Sequence, residues 1–461
     1  MLLKKNEEYV VEIIDNGFKG EGISKIENFT IFVDGAIKGE KIKIKILKVT
    51  SSHAFGKIIE IIEKSENRIE EDCSTYKKCG GCELRHIDYE TTINMKKYSV
   101  ENTLKKTLSR NDINVNEVIK MDNPYFYRNK LQYPIGVDDN NNPVMGVYAQ
   151  RSHKIIETNE CRIQNKLCQN ISNDIFKFIK ENNIKVYNER TLTGSIRHII
   201  VRIGIKTNEV LVTLVTNERK IEKEDLLVKY ITEKYKVIKT IAKNINSKNT
   251  NVILGNKTEI IFGDGYIEDY IGKFKFKISP RSFYQVNPVQ TEKLYSKAVE
   301  YASLTGEETI FDLYCGIGTI GIFASDNVKK IYGIETIKEA IDDAKENAKI
   351  NAVNNSEFFV GDVEKVLPEF IKERNITADV IFIDPPRKGC DNTALETILN
   401  IEPKKIVYVS CNPASLARDL KTLEEKYKIE KLAICDMFPF THHIECVSVL
   451  TLKNADNIEK N

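Results

Sequence analysis

The chain of 461 residues has no tryptophan, no hydrophobic run of membrane-spanning length and almost no net charge. A spanning helix needs about 18 or more consecutive apolar residues, and no window approaches that length. The N-terminus also lacks an apolar stretch of signal-peptide length, so we expect a cytoplasmic protein without a membrane span. A formal charge of +2 does not by itself indicate a nucleic-acid partner, because such proteins usually carry a clear basic excess.

What is present is typical of a globular protein with two or three domains. The chain is 41% hydrophobic and 30% charged, and its length is about three times that of a common single domain. Its ten cysteines are expected to be reduced in the cytoplasm. They are therefore to be assigned to a metal, to catalysis or to the core rather than to disulfides.

Residues 1–63 are rich in short strands and form the first predicted domain. We predict strands at Tyr9–Ile14, Thr30–Val33, Glu40–Val49 and Gly56–Ile62. Lysine and isoleucine alternate in the third of these, which places Lys41, Lys43 and Lys45 on one face. The pattern fits a small closed β-barrel of the oligonucleotide-binding type that contacts RNA, although any amphipathic strand with a solvated face alternates in the same way.

Residues 64–280 form the second predicted domain, an α+β region that begins with a cysteine cluster. We predict a helix over Tyr89–Leu108 and a hairpin whose strands are Leu131–Val137 and Val144–Tyr148. A further strand pair is predicted within 194–204 and 210–216.

Residues 281–461 form the third predicted domain, in which strands and helices alternate. The predicted strands are Thr309–Leu313, Lys330–Ile334, Glu357–Val360, Asp379–Ile383 and Lys405–Val409. Such alternation predicts a parallel, Rossmann-like sheet with helices on both faces, so the chain as a whole is a multidomain α/β protein. Leu432–Asp436 and Glu445–Leu452 lack an intervening helix, which predicts an antiparallel closing pair.

A glycine-rich turn follows the first strand of this third domain. Gly316, Gly318 and Gly321 fit the pattern G-x-G-x-x-G, and Glu335 ends the next strand, where a carboxylate can bind ribose hydroxyls. The combination favours an adenosine cofactor over a purely structural turn. Asp312 precedes the glycines and would attract an ammonium group but repel a pyrophosphate, which favours S-adenosylmethionine (SAM) over NAD. Asp362, after the third strand, is placed to meet the adenine amine.

Cys411 directly follows the fifth strand and Asp384 the fourth, so both lie at the carboxyl edge of the sheet, where ligands of such sheets bind. A thiolate favoured by a nearby cation such as Arg387 would be a competent nucleophile. A small buried packing residue is the equally reasonable alternative at this stage.

The remaining cysteines divide into a cluster and a scattered set. Cys73, Cys79, Cys82 and the distant Cys161 offer four thiols without a matching histidine pair, which suits zinc, an iron–sulfur cluster or no metal at all. The scattered set is assigned to packing: Cys168, Cys315, Cys390, Cys435 and Cys446.

Basic residues next to aromatic or apolar ones are candidate RNA contacts. They are Arg128, Lys130, Arg197, His198 and Arg202. For any one of them, an ordinary solvated charge is the more common explanation.

Three segments carry a family resemblance: DPPRKG at 384–389, YVSCNPASLARDL at 408–420 and DMFPFTHHIE at 436–445. They resemble the RNA uracil-5-methyltransferase family, and within it the bacterial enzymes that methylate 23S ribosomal RNA. The resemblance covers nearly the whole chain and implies a barrel like a TRAM domain, a cysteine-rich central part and a SAM-dependent methyltransferase domain.

The resemblance also implies residue roles. Cys411 matches the family nucleophile and Glu445 the proton acceptor, while Phe283 matches a position that stacks near the target base. Positions that contact SAM in the family are matched by Gln285, Tyr314, Glu335 and Asp384. The four clustered cysteines match ligands of a [4Fe-4S] cluster, and His442 and His443 are expected to pack or to contact phosphate.

We therefore expect a monomeric SAM-dependent enzyme that forms 5-methyluridine in 23S rRNA through a covalent Cys411 adduct and base flipping. One alternative is a tRNA uracil-5-methyltransferase, which the N-terminal barrel and the four cysteines argue against. Another is a metal-dependent RNA-binding module without catalysis, which the presence of Cys411, Glu445 and Asp384 argues against.

Overall fold

The computed structural model describes residues 3–374 and 376–453. Its N-terminal part is one curled sheet in which the strands take the order β1-β5-β6-β4-β3-β2, and β1 also packs against β3. The strands are β1 Glu8–Glu12, β2 Asp15–Asn16, β3 Gly22–Ile26, β4 Phe29–Val33, β5 Lys41–Val49 and β6 His53–Glu63. The four predicted strands are confirmed with small shifts at their ends, and β2 and β3 were not predicted.

The alternation in β5 has the predicted effect. Ile42, Ile44 and Ile46 are fully buried in the core of this domain, and the lysines between them face outward. Burying three isoleucines on one side of a strand is worth several kcal/mol, so this pattern fixes which face of β5 points inward.

A long helix and a short strand link the first domain to the rest. They are α1 Tyr89–Leu108 and β7 Glu117–Ile119. The helix has the predicted bounds because Asp88 accepts a hydrogen bond from the Thr91 backbone N–H at its start, and Ser109 adopts a left-handed conformation at its end.

The central part is a seven-stranded sheet in the order β10-β9-β8-β11-β12-β13-β14. The elements of this region are β8 Lys130–Val137, β9 Pro143–Tyr148, β10 Ile155–Glu157, α2 Lys166–Glu181, β11 Ile196–Ile203, β12 Val210–Thr216, α3 Glu224–Lys234, β13 Ile238–Ile245, β14 Lys257–Gly263, β15 Ile267–Ile271 and β16 Phe274–Ile278. Both the predicted hairpin, β8 with β9, and the predicted pair, β11 with β12, are present and antiparallel.

The C-terminal part is an eight-stranded sheet in the order β19-β18-β17-β20-β21-β23-β22-β7. Its elements are α4 Pro288–Ala302, β17 Thr309–Leu313, α5 Thr319–Ala324, β18 Lys330–Glu335, α6 Lys338–Ile350, β19 Ser356–Val360, α7 Val363–Arg374, β20 Val380–Ile383, α8 Asn392–Ile401, β21 Lys405–Ser410, α9 Pro413–Leu423, β22 Tyr427–Cys435 and β23 Glu445–Leu452. The first five strands are parallel, and β23 is antiparallel to both β21 and β22, as predicted.

Helices cover both faces of this sheet, so the predicted Rossmann-like architecture is confirmed. One face packs against α4, α5 and α6, and the other against α1, α7, α8 and α9. Two separate hydrophobic cores result, one on each face. Among the described residues, no helix is both long and apolar enough to cross a bilayer.

Two segments of the predicted central domain pack on the C-terminal sheet. The strand β7 pairs with β22, and α1 packs against α9. The hairpin of β15 and β16 contributes to the core beneath α4 and α6. The division at 63 and 280 stays a proposal, and these contacts show how closely the second and third segments are joined.

Candidate active site

The loops that follow β17, β18, β19, β20 and β21 meet at one edge of the C-terminal sheet, because the five strands are parallel neighbours. The predicted site residues Tyr314, Glu335, Asp362, Asp384 and Cys411 each lie in one of these loops or at the end of its strand. Parallel pairing alone therefore brings together residues that are almost 100 positions apart in sequence.

The glycine-rich turn after β17 is held in a left-handed conformation. Gly316 and Gly318 have φ values of 54° and 78°, and Tyr314 has a φ of 62°. A Cβ on Gly318 would lie 2.9 Å from the Phe358 ring, so a side chain does not fit there. The Gly316 backbone N–H donates to Glu335 Oε2 over 3.3 Å, which links the turn to the end of β18.

Two carboxyl groups lie beneath this turn. Asp312 accepts a hydrogen bond from the Gly321 backbone N–H at 2.8 Å, but its other oxygen is buried without a partner. Burial raises the pKa of Asp312 to about 7, and the neighbouring Asp384 contributes to this rise. Burial likewise raises the pKa of Asp384 to about 7. Carboxyl groups left without a cation in this way suit a positively charged ligand and disfavour a phosphate.

The other predicted SAM contacts differ in their burial and in whether another residue already binds their polar groups. Asp362 forms an ion pair with Lys365 at 2.6 Å, so its carboxylate has a competing partner. Tyr314 packs against the face that carries α8 and α9, where burial and the nearby Cys390 raise the pKa of its phenol. Gln285 is half-buried in the segment before α4.

Cys411 and Glu445 lie side by side at the same edge. Ser410 in β21 is paired with Cys446 in β23, so the antiparallel register places the next residues, Cys411 and Glu445, opposite each other. Burial and the nearby Glu445 raise the pKa of the half-buried Cys411 thiol to about 11, while Arg387 opposes this shift.

Glu445 is the more deeply buried of the two. Burial and Asp384 raise its pKa well above the ordinary value, and Arg387 lowers it. A thiol, a carboxyl group with a raised pKa and a cation therefore lie together at the carboxyl edge of the sheet.

Asn412 is a positioning residue that the sequence analysis missed. Its side chain caps α9 by accepting from the Ala414 backbone N–H at 3.0 Å, and it donates to the Arg387 carbonyl at 2.9 Å. It therefore ties the Cys411 loop to the Arg387 loop. The signal was an asparagine directly before a proline at the start of a helix.

Phe283 projects from the segment that leads into α4, and 74% of its surface is exposed. The central sheet holds this segment in place. The Asn129 side chain donates to the Gln285 carbonyl at 3.0 Å, and Arg202 donates to the Ser282 carbonyl at 3.0 Å. An exposed aromatic ring on a fixed segment is suited to stacking on a base.

Cations gather beside the same segment. Burial and the neighbouring Arg202 and Arg128 lower the pKa of Lys130 to about 8. The Nε atom of Arg128 is buried without a hydrogen-bonding partner. Like charges held this close favour an anion, so the position of Arg128 and Lys130 suits a phosphate group.

Both interpretations of Arg197, His198 and Arg202, a contact with RNA and a solvated charge, are contradicted. All three are buried, because every residue of the central strand β11 is covered on both faces. Arg197 donates to the carbonyls of Asn246 and Lys248, so its hydrogen bonds are used inside the protein.

The four clustered cysteines converge although Cys161 is distant in sequence. Burial raises the pKa of Cys82 to about 12, and the thiols of Cys161, Cys79 and Cys73 add to that shift. Within the described residues, no three His, Cys, Asp or Glu side chains are arranged to hold a metal ion. The four thiols nonetheless lie within electrostatic reach of one another, with no histidine among them.

Residues next to this cysteine group hold the loop that leads to Glu445. The backbone N–H groups of Glu83 and Leu84 both donate to the Phe440 carbonyl, at 3.0 and 2.9 Å. The Arg85 guanidinium lies over the Phe440 ring, 4.5 Å from its centroid. Phe440 has a φ of 64°, a conformation that these contacts help to fix.

The loop from 436 to 443 is held from other sides as well. Lys96 forms a buried ion pair with Asp436 at 2.6 Å and donates to the Phe438 carbonyl at 3.1 Å. His442 lies 3.5 Å from a Glu83 carboxylate oxygen, and its ring centroid is 4.2 Å from that of His443 with the rings tilted by 39°, which fits the expected packing role. The five scattered cysteines are all buried, as predicted.

Comparison with known proteins finds two matching family models and several similar RNA methyltransferases. A family model described as tRNA (Uracil-5-)-methyltransferase matches residues 88–453, and a TRAM domain model matches residues 3–59. An uncharacterized RNA methyltransferase of Clostridium acetobutylicum is 49% identical, and the match covers 98% of each chain. Another from Oceanobacillus iheyensis is 42% identical, again over 98% of each chain.

A solved structure is similar over almost the whole fold. It is the tRNA (uracil-54, C5)-methyltransferase of Pyrococcus abyssi in complex with S-adenosyl-L-homocysteine. The TM-score is 0.77 at 26% identity, and the match covers 96% of this chain and 100% of that chain.

Proposed function

We propose a specific reaction on the premise that this chain belongs to the SAM-dependent tRNA (uracil-5-)-methyltransferase family. In this proposal the protein methylates C5 of a uridine in 23S ribosomal RNA through a covalent Cys411 adduct. The observation that carries the mechanism is the placement of Cys411 opposite Glu445 at the ligand-binding edge, with Arg387 beside both.

The chemistry accounts for each of these groups. C5 of uracil is a weak nucleophile until a thiolate adds to C6. The Cys411 sulfur forms a bond to C6, and the electron pair of the C5–C6 double bond moves to O4 as an enolate. C5 then takes the methyl group from SAM, whose sulfonium makes that carbon electrophilic and which leaves as S-adenosyl-L-homocysteine.

Glu445 completes the cycle. Its carboxylate removes the proton from C5, the C5–C6 double bond re-forms, and the Cys411 thiolate is expelled from C6. The apolar surroundings that raise the pKa of Glu445 make it a stronger base once ionised. Arg387 favours the thiolate form of Cys411 that the first step needs.

We assign SAM to the pocket formed by the glycine-rich turn. Its sulfonium and ammonium groups fit the carboxyl groups at Asp312 and Asp384, and Glu335 would bind the ribose hydroxyls. Tyr314, Gln285 and Asp362 complete the assigned contacts, with Asp362 exchanging Lys365 for the adenine amine.

The RNA side of the site is assigned to Phe283, Arg128 and Lys130. The target uracil must leave its stack to reach Cys411, and an exposed ring such as Phe283 can stabilise the flipped base. Arg128 and Lys130 would bind a neighbouring phosphate. The barrel of residues 1–63 adds a second RNA-binding surface in this proposal.

The four clustered cysteines are proposed to hold a [4Fe-4S] cluster. Cys73, Cys79, Cys82 and Cys161 would supply the four thiolates that such a cluster requires. An all-thiol set with two glycines between Cys79 and Cys82 fits this group. Methyl transfer needs no electron, so we assign the cluster a role in holding the protein or in contacting RNA.

A tRNA substrate is the second candidate, and one observation favours it. The P. abyssi enzyme acts on tRNA, and its match covers 96% of this chain, so the match must include the N-terminal barrel. The barrel was expected to argue against a tRNA substrate, and this match removes that argument. Mapping 5-methyluridine in rRNA and tRNA from a deletion strain and its parent decides between the two: a site lost only from tRNA overturns the 23S assignment.

The mechanism is tested with RNA that contains 5-fluorouridine, in which C5 carries no removable proton. We expect this RNA and SAM to give a protein–RNA adduct that survives SDS, and Cys411→Ala to give none. Cys446→Ala is the matched control, since that buried thiol neighbours the site without facing its edge. No adduct, or an adduct in Cys411→Ala, would contradict the mechanism.

A further inference from the structure

Three aromatic rings lie together on the outside of the N-terminal barrel. Phe32 and Phe55 have centroids 6.0 Å apart and rings tilted by 33°. His53 contacts both edge-on, with centroids 5.5 Å from Phe32 and 5.0 Å from Phe55. We call Phe32, His53 and Phe55 the aromatic row.

The strand register explains why the row faces outward. Phe32 in β4 is paired with Phe55 in β6, and His53 lies two residues before Phe55 on the same face. The residues that alternate with them, Ile31 and Ala54, are fully buried in the barrel core. Phe55 is 40% exposed, so the row displays ring surface that no part of the described chain covers.

Three lysines flank the row. Lys48 is paired with Phe55 across β5 and β6, and Lys45 is paired directly with Lys57. Lys48 and Lys57 form no ion pair within 3–374 and 376–453, whereas Lys45 also lies opposite Glu8 of β1 and interacts electrostatically with that carboxylate. The opposite end of β5 differs, because Lys41 binds Glu63 at 3.5 Å and Lys43 binds Glu8 at 2.8 Å.

The lysines of β5 and β6 that have no acidic partner among the described residues, Lys48 and Lys57, thus lie beside the exposed rings. Two lysines placed directly opposite each other repel, and the repulsion is relieved by a bound anion. Rings that can stack on bases, next to cations that can meet phosphates, are the two features of a surface for single-stranded nucleic acid.

We propose that the aromatic row, with Lys45, Lys48 and Lys57, binds an unpaired stretch of the RNA substrate by stacking its bases. The proposal rests on the proposed function in one respect, that the substrate is RNA. It adds a docking site on a different domain from the one that carries Cys411, which would raise affinity for the RNA without selecting the target uridine. A protein partner or a second copy of this chain is the competing occupant, and it would not need the free lysines.

The absence of tryptophan from the chain gives a direct test. In Phe55→Trp the only indole of the protein lies in the row and can still stack. Leu226→Trp is the control, because Leu226 is 55% exposed on α3 of the central region. The probe is a single-stranded RNA of about 12 nucleotides without uridine, a length within the range that such surfaces bind and one that offers no methyl acceptor.

We expect this RNA to quench the fluorescence of Phe55→Trp and to leave that of Leu226→Trp unchanged. Phe55→Ala should weaken binding by about tenfold, the size of one base–aromatic stacking interaction. Lys45→Gln with Lys57→Gln should lower the salt dependence of binding by about 0.7 in slope for each phosphate that the protein no longer neutralises. Quenching equal in both tryptophan variants, or binding unchanged in Phe55→Ala, would overturn the proposal.

Methyl transfer is measured separately on a full substrate RNA. Quenching without methylation would overturn the proposed function and leave the docking site standing. Methylation with an unchanged KM for RNA in Phe55→Ala, at unchanged kcat, would overturn the docking site alone. Sedimentation of the protein without RNA completes the test: dimerisation abolished by Phe55→Ala would assign the row to a second copy and overturn the proposal.

Discussion

The four clustered cysteines and the single Cys411 are all half-buried and have the same intrinsic chemistry but different surroundings. Burial raises the pKa of Cys411 to about 11 and that of Cys82 to about 12, and each has an arginine that opposes the shift. The arginines differ in what else they contact. Arg387 is exposed and forms no ion pair with another described residue, whereas Arg85 is buried.

The Arg85 guanidinium is also bound to other residues of the protein. It forms two hydrogen bonds with Asp72, at 2.5 and 2.9 Å, and lies over the ring of Phe440. The neighbours of Cys82 are further thiols, while those of Cys411 are the carboxyl groups of Glu445 and Asp384. A free cation beside a proton acceptor suits a thiol that reacts, and a fixed cation beside other thiols suits a thiol that ligates.

The two groups are joined through one loop. The residues after Cys82 bind the Phe440 carbonyl, and five residues later the same chain reaches Glu445. The four clustered cysteines can therefore position Glu445, the proposed base, without taking part in the proposed methyl transfer. Substitutions that affect one group and spare the other test this division.

The largest effect is expected from Glu445→Gln. The amide cannot accept the C5 proton, so turnover should fall by about 10²- to 10⁴-fold, the range for loss of a general base. The adduct on ordinary uridine RNA should accumulate because it can no longer resolve, which gel electrophoresis in SDS would show. Glu430→Gln, on the exposed side of β22, is the control and should turn over normally. Normal turnover by Glu445→Gln would remove Glu445 from the reaction.

The same variant should also change how the stability of the protein depends on pH. The folded pKa of Glu445 lies well above its ordinary value of 4.5, so the folded state binds more protons than the unfolded state between these two values. Stability therefore falls as pH rises through that window in the native protein, and glutamine removes this loss. Calorimetry should show the Tm advantage of Glu445→Gln growing as the pH rises above the ordinary pKa of 4.5. Turnover of the native protein should rise over the same window, as the base ionises.

Much of the catalytic edge was predictable because local rules decide it. Strand–helix alternation identified the parallel sheet, and that sheet alone brings Asp384 and Cys411 to one edge. The role of Glu445 came from family resemblance, since a single carboxylate at the start of a strand has no local signal. The bounds of α1 followed from its capping residues.

Contacts that depend on long-range packing were not predictable. Arg197 and Arg202 look like surface charges in sequence, but β11 lies in the middle of its sheet and buries them. The hydrogen bonds from Glu83 and Leu84 to Phe440 connect residues more than 350 positions apart, and no sequence pattern in either segment predicts them. The aromatic row depends on the parallel pairing of β4 with β6, which requires the whole barrel.

A smaller effect on chemistry is expected from Cys82→Ser. We expect the anaerobically prepared variant to lack iron and sulfide. Its free energy of unfolding should be lower by about 4 kcal/mol, a large loss of the kind that follows removal of a metal site. Cys168→Ser is the matched control, because that thiol is buried in the central core without other thiols nearby. It should keep its iron. Zinc in place of iron and sulfide would contradict the proposed cluster, and an unaltered metal content in Cys82→Ser would remove Cys82 from the ligand set.

The smallest effect should come from Tyr127→Phe, which acts on the joining loop alone. The buried Tyr127 hydroxyl donates to the Pro439 carbonyl at 3.3 Å, so its removal should cost about 1 kcal/mol and leave that carbonyl unpaired. Tyr133→Phe is a close control, because the Tyr133 hydroxyl is buried without a partner and its loss should be neutral. If the loop positions Glu445, kcat falls by up to about fivefold in Tyr127→Phe while KM and iron content stay unchanged. A loss of stability without a change in kcat would show that the loop anchors the fold and that the two cysteine groups act independently.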